Sequence, residues 1–246
     1  MSLCSLLTTL RPHRVVLKLR SPLFLTLTAL MLLAPVSAWA LEIIVGLPYG
    51  THRIGHTAVR VSPPGKREVI YDFGRYGRVW GPLRMQGEGI MRVWRGRRQV
   101  RRYLQKQMSY RDSIGYDIAV SPEEEQRIYR YYEELLANAR WSRPGSLHKR
   151  YRLAEDYDGV FTQCTSVALN GLKHVWPRER WERLLDPRFN VGQGFKRRVR
   201  EYYFRSQRER SVNETVVPLD VVDSFRVEER RENSLITRVN NYRRRR

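Results

Sequence analysis

Gly55-His56-Thr57-Ala58-Val59-Arg60-Val61 alternates small and β-branched side chains from face to face, Ser62-Pro63-Pro64-Gly65 reads as a turn, and Glu68-Val69-Ile70-Tyr71-Asp72-Phe73 resumes the alternation. The pattern predicts an antiparallel hairpin with His56 at one end. Upstream, Leu41-Glu42-Ile43-Ile44-Val45 predicts a first strand, ended by the Gly46–Gly50 stretch with its Pro48. Downstream, Gly74, Gly77 and Gly81 mark the exit from the hairpin, Ile90–Trp94 a further strand, and Val100, Leu104 and Met108 a short basic helix. Tyr116–Val120 is another strand. Ser121-Pro122-Glu123-Glu124 then supplies an N-cap, a first-turn proline and a capping-box acid, and Ile128, Tyr132, Leu135 and Ala139 follow as the buried stripe of that helix. Tyr151–Leu153 reads as a short extended piece, and Thr165–Val175 as a helix that places Cys164 at its N-terminus.

The last stretch is Arg-rich: Phe195–Arg208 predicts a basic helix, and Val221–Val227 with Leu235–Val239 a hairpin. The expected fold class is therefore α+β, an antiparallel sheet packed against helices. Residues 41–176 form its core and 177–246 a helical extension and tail.

Length and composition bound this further. With 246 residues, 41% apolar and 11% aromatic, the chain can bury one sizeable core, which excludes disorder throughout. Its 46 Lys and Arg outweigh 25 Asp and Glu, for a net charge of +21 and a pI near 10.6. Only six of those cations are Lys, an imbalance that codon composition explains as readily as phosphate binding. Residues 1–40 carry Arg11, Arg14, Lys18 and Arg20 with no acid, then an apolar run from Leu23 to Ala34 and the tripeptide Ala38-Trp39-Ala40. That is the pattern of a secretory leader cleaved before Leu41, and the run is shorter than the ~20 residues of a membrane span. Cys4 precedes the apolar run and does not sit at a lipoprotein acylation site. Losing these four cations leaves +17 of the +21 and a single cysteine, Cys164, which has no partner for an intrachain disulfide. A lone exported thiol is either a small buried hydrophobe or a nucleophile.

The residues around Cys164 favour the nucleophile. A helix N-terminus stabilises a thiolate through its unpaired N–H groups and aligned dipoles, and a histidine at a strand end can accept the thiol proton and return it to a leaving group. His56 is the candidate base. The Cys164 N–H, with the Gln163 or Thr165 side chain as a second donor, faces a developing oxyanion. Gly55-His56-Thr57-Ala58-Val59-Arg60-Val61, Tyr71-Asp72-Phe73-Gly74 and Gln163-Cys164-Thr165-Ser166 together resemble the circularly permuted papain-like hydrolases, among them the PPPDE peptidases, the lecithin retinol acyltransferase group and bacterial envelope domains. In that superfamily the histidine strand precedes the cysteine helix, as here, although Gln163-Cys164 stands where an Asn-Cys pair is usual. The resemblance covers residues 41–176 and implies Cys164 as nucleophile, His56 as general base and no cofactor. For the group that orients His56, Asp72 leads Glu68 and Tyr71, and a one-residue change of hairpin register decides whether it shares a face with His56.

Other readings are open. His52 and His56 stand four apart, a metal spacing on a helix, but Gly50 and Gly55 argue for a loop and no HExxH motif is present, so no metal is expected. His148 and His174 read as surface groups, and Asn213-Glu214-Thr215 as a chance match to a glycosylation acceptor. The stretches Arg95–Arg102 and Arg197–Arg210 are solvated faces that hold polyanions loosely; Tyr202, Tyr203 and Phe204 among arginines could stack on bases, yet an exported chain makes specific nucleic acid binding a minor expectation. The implied activity is cysteine-dependent hydrolysis or transfer at an amide, isopeptide or ester bond of a peptide or acyl substrate. The basic surface would lie near anionic cell-envelope polymers or a membrane surface. The alternatives are an inactive envelope binding or scaffold domain of the same fold, or an Arg-rich polyanion binder.

Overall fold

The computed structural model describes residues 40–50, 52–81, 84–209 and 217–245. The expected leader lies outside them apart from Ala40, which opens the first strand, and so does Asn213-Glu214-Thr215. In chain order the elements are β1 (Ala40–Gly46), β2 (His56–Val61), β3 (Val69–Trp80), β4 (Gln86–Arg95), α1 (Arg97–Met108), β5 (Ser113–Ala119), α2 (Pro122–Ala137), β6 (Trp141–Pro144), β7 (Lys149–Arg152) and β8 (Tyr157–Asp158). Then follow α3 (Cys164–Val175), α4 (Arg178–Leu184), α5 (Arg197–Glu209), α6 (Pro218–Glu229) and β9 (Ile236–Tyr242). The strands form one antiparallel sheet in the order β6-β7-β4-β3-β2-β1-β5-β9, with β8 also on β4, so the α+β expectation stands. Among the described residues no helix is long and apolar enough to cross a membrane.

The alternation of β2 and β3 sorts their side chains as the period of two requires. Val59, Val61, Val69, Tyr71 and Phe73 point to one face, where Leu41, Ile43 and Val45 of β1 and Met91 and Val93 of β4 join them. Onto this face pack Ile128, Tyr132 and Leu136 of α2, Val167, Ala168 and Leu172 of α3, and Val221 and Phe225 of α6. The Tyr132 hydroxyl donates to the carbonyls of Val167 and Ala168 at 3.1 and 2.9 Å and so ties α2 to α3. The opposite face carries a smaller apolar patch, Ile44, Ala58, Ile70 and Trp94, under Val100 and Tyr103 of α1. The helix start at Ser121 is the expected capping box: its hydroxyl accepts from Glu124 N at 3.1 Å and its N–H donates to the Glu124 carboxylate at 2.8 Å.

Four expectations change. β3 does not end at Gly74 but continues to Trp80, with a register irregularity between Arg75 and Val79 against β4. Gly77 marks a close approach, since a Cβ on it would stand 2.8 Å from that of Glu88, and only Gly81, at φ +78°, marks the exit from the strand. The expected hairpin at Val221–Val227 and Leu235–Val239 is instead a helix, α6, and a strand, β9. Val221, Val222 and Phe225 recur at helical spacing behind Pro218 in the first turn, which outweighs their β-branched character. β9 pairs along β5, from Ser113 with Tyr242 to Ile118 with Ile236, so residues beyond 176 complete the sheet. Finally, His148 is half-buried against the Trp94 ring at 4.5 Å rather than on the surface; burial, then the charge of Arg92, lowers its pKa to about 4.

Candidate active site

His56 opens β2 because Gly55 lets the chain turn into the strand there. Gly55 has φ +86°, and a Cβ on it would stand 2.6 Å from the Gly46 carbonyl oxygen, so any other residue would be both strained and crowded. Gly46 and His56 are paired across β1 and β2.

Cys164 is the first residue of α3, where backbone N–H groups have no intrahelical partner. The turn before it is built by side chains. Asp158 Oδ1 accepts from Val160 N and Phe161 N at 2.8 and 3.1 Å, and Gln163 then caps the helix, its Oε1 accepting from Thr165 N at 2.8 Å. Ser166 closes a capping box by accepting from Gln163 N at 2.9 Å.

These two elements bring Cys164 and His56 close enough for the charge of each to act on the other, while the thiol donates to Gln163 Oε1 at 3.4 Å. Asp72 completes the line, its Oδ1 standing 2.6 Å from His56 Nε2. The register explains why: Val59 faces Tyr71 and Arg60 faces Ile70, so Asp72 lies on the face of His56, Ala58 and Arg60. The alternatives point elsewhere, Glu68 to Arg60 at 2.5 Å and Tyr71 to Glu133 at 2.6 Å. With Nε2 engaged by Asp72, Nδ1 is the ring nitrogen left for the thiol.

Two residues that sequence reasoning missed hold Asp72 in place. Arg92, its cross-strand partner on β4, donates to Asp72 Oδ2 from Nε at 3.1 Å and Nη2 at 2.5 Å. The Tyr76 hydroxyl donates to Asp72 Oδ1 at 2.8 Å and lies 3.2 Å from His56 Nε2, while the Arg92 guanidinium stacks 3.6 Å over the Tyr76 ring. The extension of β3 past Gly74 is what delivers Tyr76. The cross-strand pairing of Asp72 with Arg92 was the available signal, but it required the β3–β4 register.

The electrostatics follow from this packing. Burial alone would raise the Asp72 carboxyl, but Arg92, then His56, hold it well below the usual carboxylate range. Burial alone would lower the His56 pKa; the charges of Asp72 and Cys164 reverse that and raise it from 6.5 to about 9. Burial likewise favours the neutral thiol of Cys164, yet the His56 charge, the Thr57 N–H and the Thr165 hydroxyl bring its pKa below the ordinary 9.0. The arrangement thus shifts the balance from the neutral pair toward a thiolate beside an imidazolium.

The expected oxyanion group divides. Gln163 lines the cleft and holds the helix cap, whereas Thr165 is fully buried, its Oγ1 3.0 Å from that of Thr57 and 3.9 Å from Cys164 Sγ. Thr165 therefore ties α3 to β2 beneath the thiol. His52 pairs with Tyr49 in a short bridge and stacks on its ring at 4.8 Å, and among the described residues no three His, Cys, Asp or Glu side chains cluster as metal ligands would.

Cys164 and His56 open into a cleft of about 850 Å³, within the size range of small-molecule sites. Its lining includes the apolar Ile54, Met85, Phe195 and Val217, which pack with Val160 and Phe161, and the cationic Arg53, Arg75, Arg92, Arg111 and Lys196. Comparison with family models, curated proteins and solved structures returns no match.

Proposed function

We propose that this protein is a cysteine-dependent acyl hydrolase or transferase with a permuted papain-like fold. The reading rests on one observation: Cys164 at a helix N-terminus and Asp72 on the neighbouring strand both act on His56 at a strand end, Asp72 by a 2.6 Å contact with Nε2 and Cys164 through its charge. The chain order, histidine strand before cysteine helix, and the antiparallel sheet support the fold assignment.

In this reading Cys164 Sγ attacks the carbonyl carbon of an amide, isopeptide or ester. As the tetrahedral intermediate collapses, the C–N or C–O bond breaks, and His56 gives its proton to the departing nitrogen or oxygen. The Cys164 N–H faces the developing oxyanion, where a single such donor contributes about 2.7–4 kcal/mol. Water, or a second acceptor, then adds to the thioester as His56 takes its proton. The S–C bond breaks, the acyl group leaves and the thiolate is restored beside the imidazolium. Asp72 keeps the ring oriented, and its own charge is balanced by Arg92.

Export, cleavage before Leu41 and a location near anionic envelope polymers complete the proposal; the +17 that remains of the +21 after cleavage supports the last. The experiment is turnover of ester, amide and envelope-peptide substrates by the parent and by Cys164→Ala. The parent should release product and the variant should not. Equal rates remove the enzyme reading and leave the binding or scaffold alternative.

A further inference from the structure

Arg111 precedes β5 and lines the cleft, yet it is only 8% exposed. Its guanidinium lies against Gly46, the cross-strand partner of His56: a Cβ at Gly46 would stand 2.7 Å from Arg111 Cδ and 2.9 Å from Nη1. The group lies against two rings, its Cζ 4.6 Å from the Tyr49 centroid and 4.9 Å from that of Tyr110, whose hydroxyl donates to Gln107 Oε1 at 2.9 Å. Nε and Nη1 are buried without a hydrogen-bond partner. Among the described residues, no carboxylate comes within ion-pair distance of it. The other buried arginine, Arg152, meets Asp156, and the nearly buried Arg92 meets Asp72.

A guanidinium taken out of water is costly unless an anion compensates it, and tyrosine rings hold its plane without supplying a formal negative charge. Among the described residues the chain supplies no such anion here. No Asp or Glu lines the cleft among the described residues, whereas the exposed Arg53, Arg75 and Lys196 do. A site with a fixed, uncompensated cation and further exposed cationic side chains in its lining, beside Cys164 and His56, is built for a ligand that brings its own negative charge.

We propose that Arg111 forms an oxyanion subsite that holds a carboxylate or phosphate group of the acyl donor beside the bond attacked by Cys164. The inference rests on the acyl-transfer reading for its substrate, but the subsite itself is tested apart from it. Gly46 is part of the device, because a side chain there would displace the guanidinium.

The test alkylates Cys164 with iodoacetate, which carries a carboxylate, and with iodoacetamide, which does not, and follows the modified peptide by mass spectrometry. In the parent, iodoacetate should react with saturable kinetics and be competed by acetate or by inorganic phosphate at constant ionic strength. Whichever competitor is stronger identifies the anion class. Arg111→Gln should lower the iodoacetate to iodoacetamide rate ratio by about tenfold, Arg111→Lys by less, and Arg127→Gln, which removes an exposed charge on α2, should leave it unchanged. An unchanged ratio in Arg111→Gln overturns the subsite. If neither reagent reacts faster than with the unfolded chain, the acyl-transfer reading fails instead, and thermal unfolding still decides the subsite. Acetate or phosphate should then raise the parent midpoint and leave Arg111→Gln unmoved. Equal shifts in both proteins, or none in either, contradict it.

Discussion

The two faces of the sheet are made of alternate residues of the same strands, yet they are built on different principles. One face is apolar: Val59, Tyr71, Phe73 and Met91 are at most 2% exposed and pack against α2 and α3. The other buries charge, with Glu42, Asp72 and Asp117 no more than 4% exposed, and matches nearly every charge across the strands. Glu42 and Glu68 share Arg60, Asp117 meets Arg238, and Asp72 meets Arg92. Apolar packing tolerates approximate partners of about the right volume, whereas a buried charge needs one specific partner at one register. The difference teaches where function sits. The face that can hold an oriented carboxylate is the one that ends at His56.

The largest expected contrast is between Asp72→Ala and Phe73→Ala, neighbours on opposite faces. Each should lower unfolding free energy by about 3–5 kcal/mol, the first by leaving Arg92 buried without its anion and the second by opening a cavity. Urea unfolding separates the causes. Adding Arg92→Met should recover most of the loss in Asp72→Ala and none of it in Phe73→Ala. Equal behaviour of the two double variants would break the distinction.

Next in size is the pH dependence that only the charged face should show. Asp72 is held below its ordinary 3.8, so its stabilisation is complete above that value and lost as pH falls below it. His56 is raised from 6.5 to about 9, so its contribution is complete below 6.5 and lost as pH rises through 9. Their joint contribution is therefore greatest between pH 3.8 and 6.5. The stability gap between parent and Asp72→Asn should be widest there and narrow on either side. A gap that stays constant with pH would show that the carboxylate is not coupled to folding.

Smaller still is the loss of the Tyr76 hydroxyl bond to Asp72. Tyr76→Phe should cost about 0.5–1.5 kcal/mol, and a loss as large as that of Asp72→Ala would mean that Tyr76, not Arg92, holds the carboxylate. The smallest effect belongs to Arg60, whose side chain is 32% exposed. Solvent screening limits its pairs with Glu42 and Glu68, and Arg60→Ala should cost about 1 kcal/mol or less in salt.

The same contrast explains what was legible in the sequence. The apolar face announces itself by its period of two, which suffices for β1, β2 and the beginning of β3, and Ser121 and Glu124 mark the start of α2 by local capping chemistry. Cys164 and His56 are legible because helix start and strand end are local features as well. Asp72 was legible only as a candidate among three, since parity across a hairpin depends on the turn. Arg92 and Tyr76 were not legible, because both require the β3–β4 register and a strand that runs on through Gly74. The pairing of β9 with β5 joins residues more than 100 positions apart, and no local pattern in Ile236–Tyr242 encodes it. Arg111 looked like one arginine among forty until its burial without a carboxylate set it apart.

The most direct test of the thiolate and imidazolium pair is the pH profile of iodoacetamide reaction at Cys164 in the parent and in His56→Ala. The parent rate should reach half its limit below pH 9.0, the ordinary thiol value, and the His56→Ala midpoint should move upward because burial then acts on the thiol without the opposing charge. Coincident profiles for the two proteins would contradict the account.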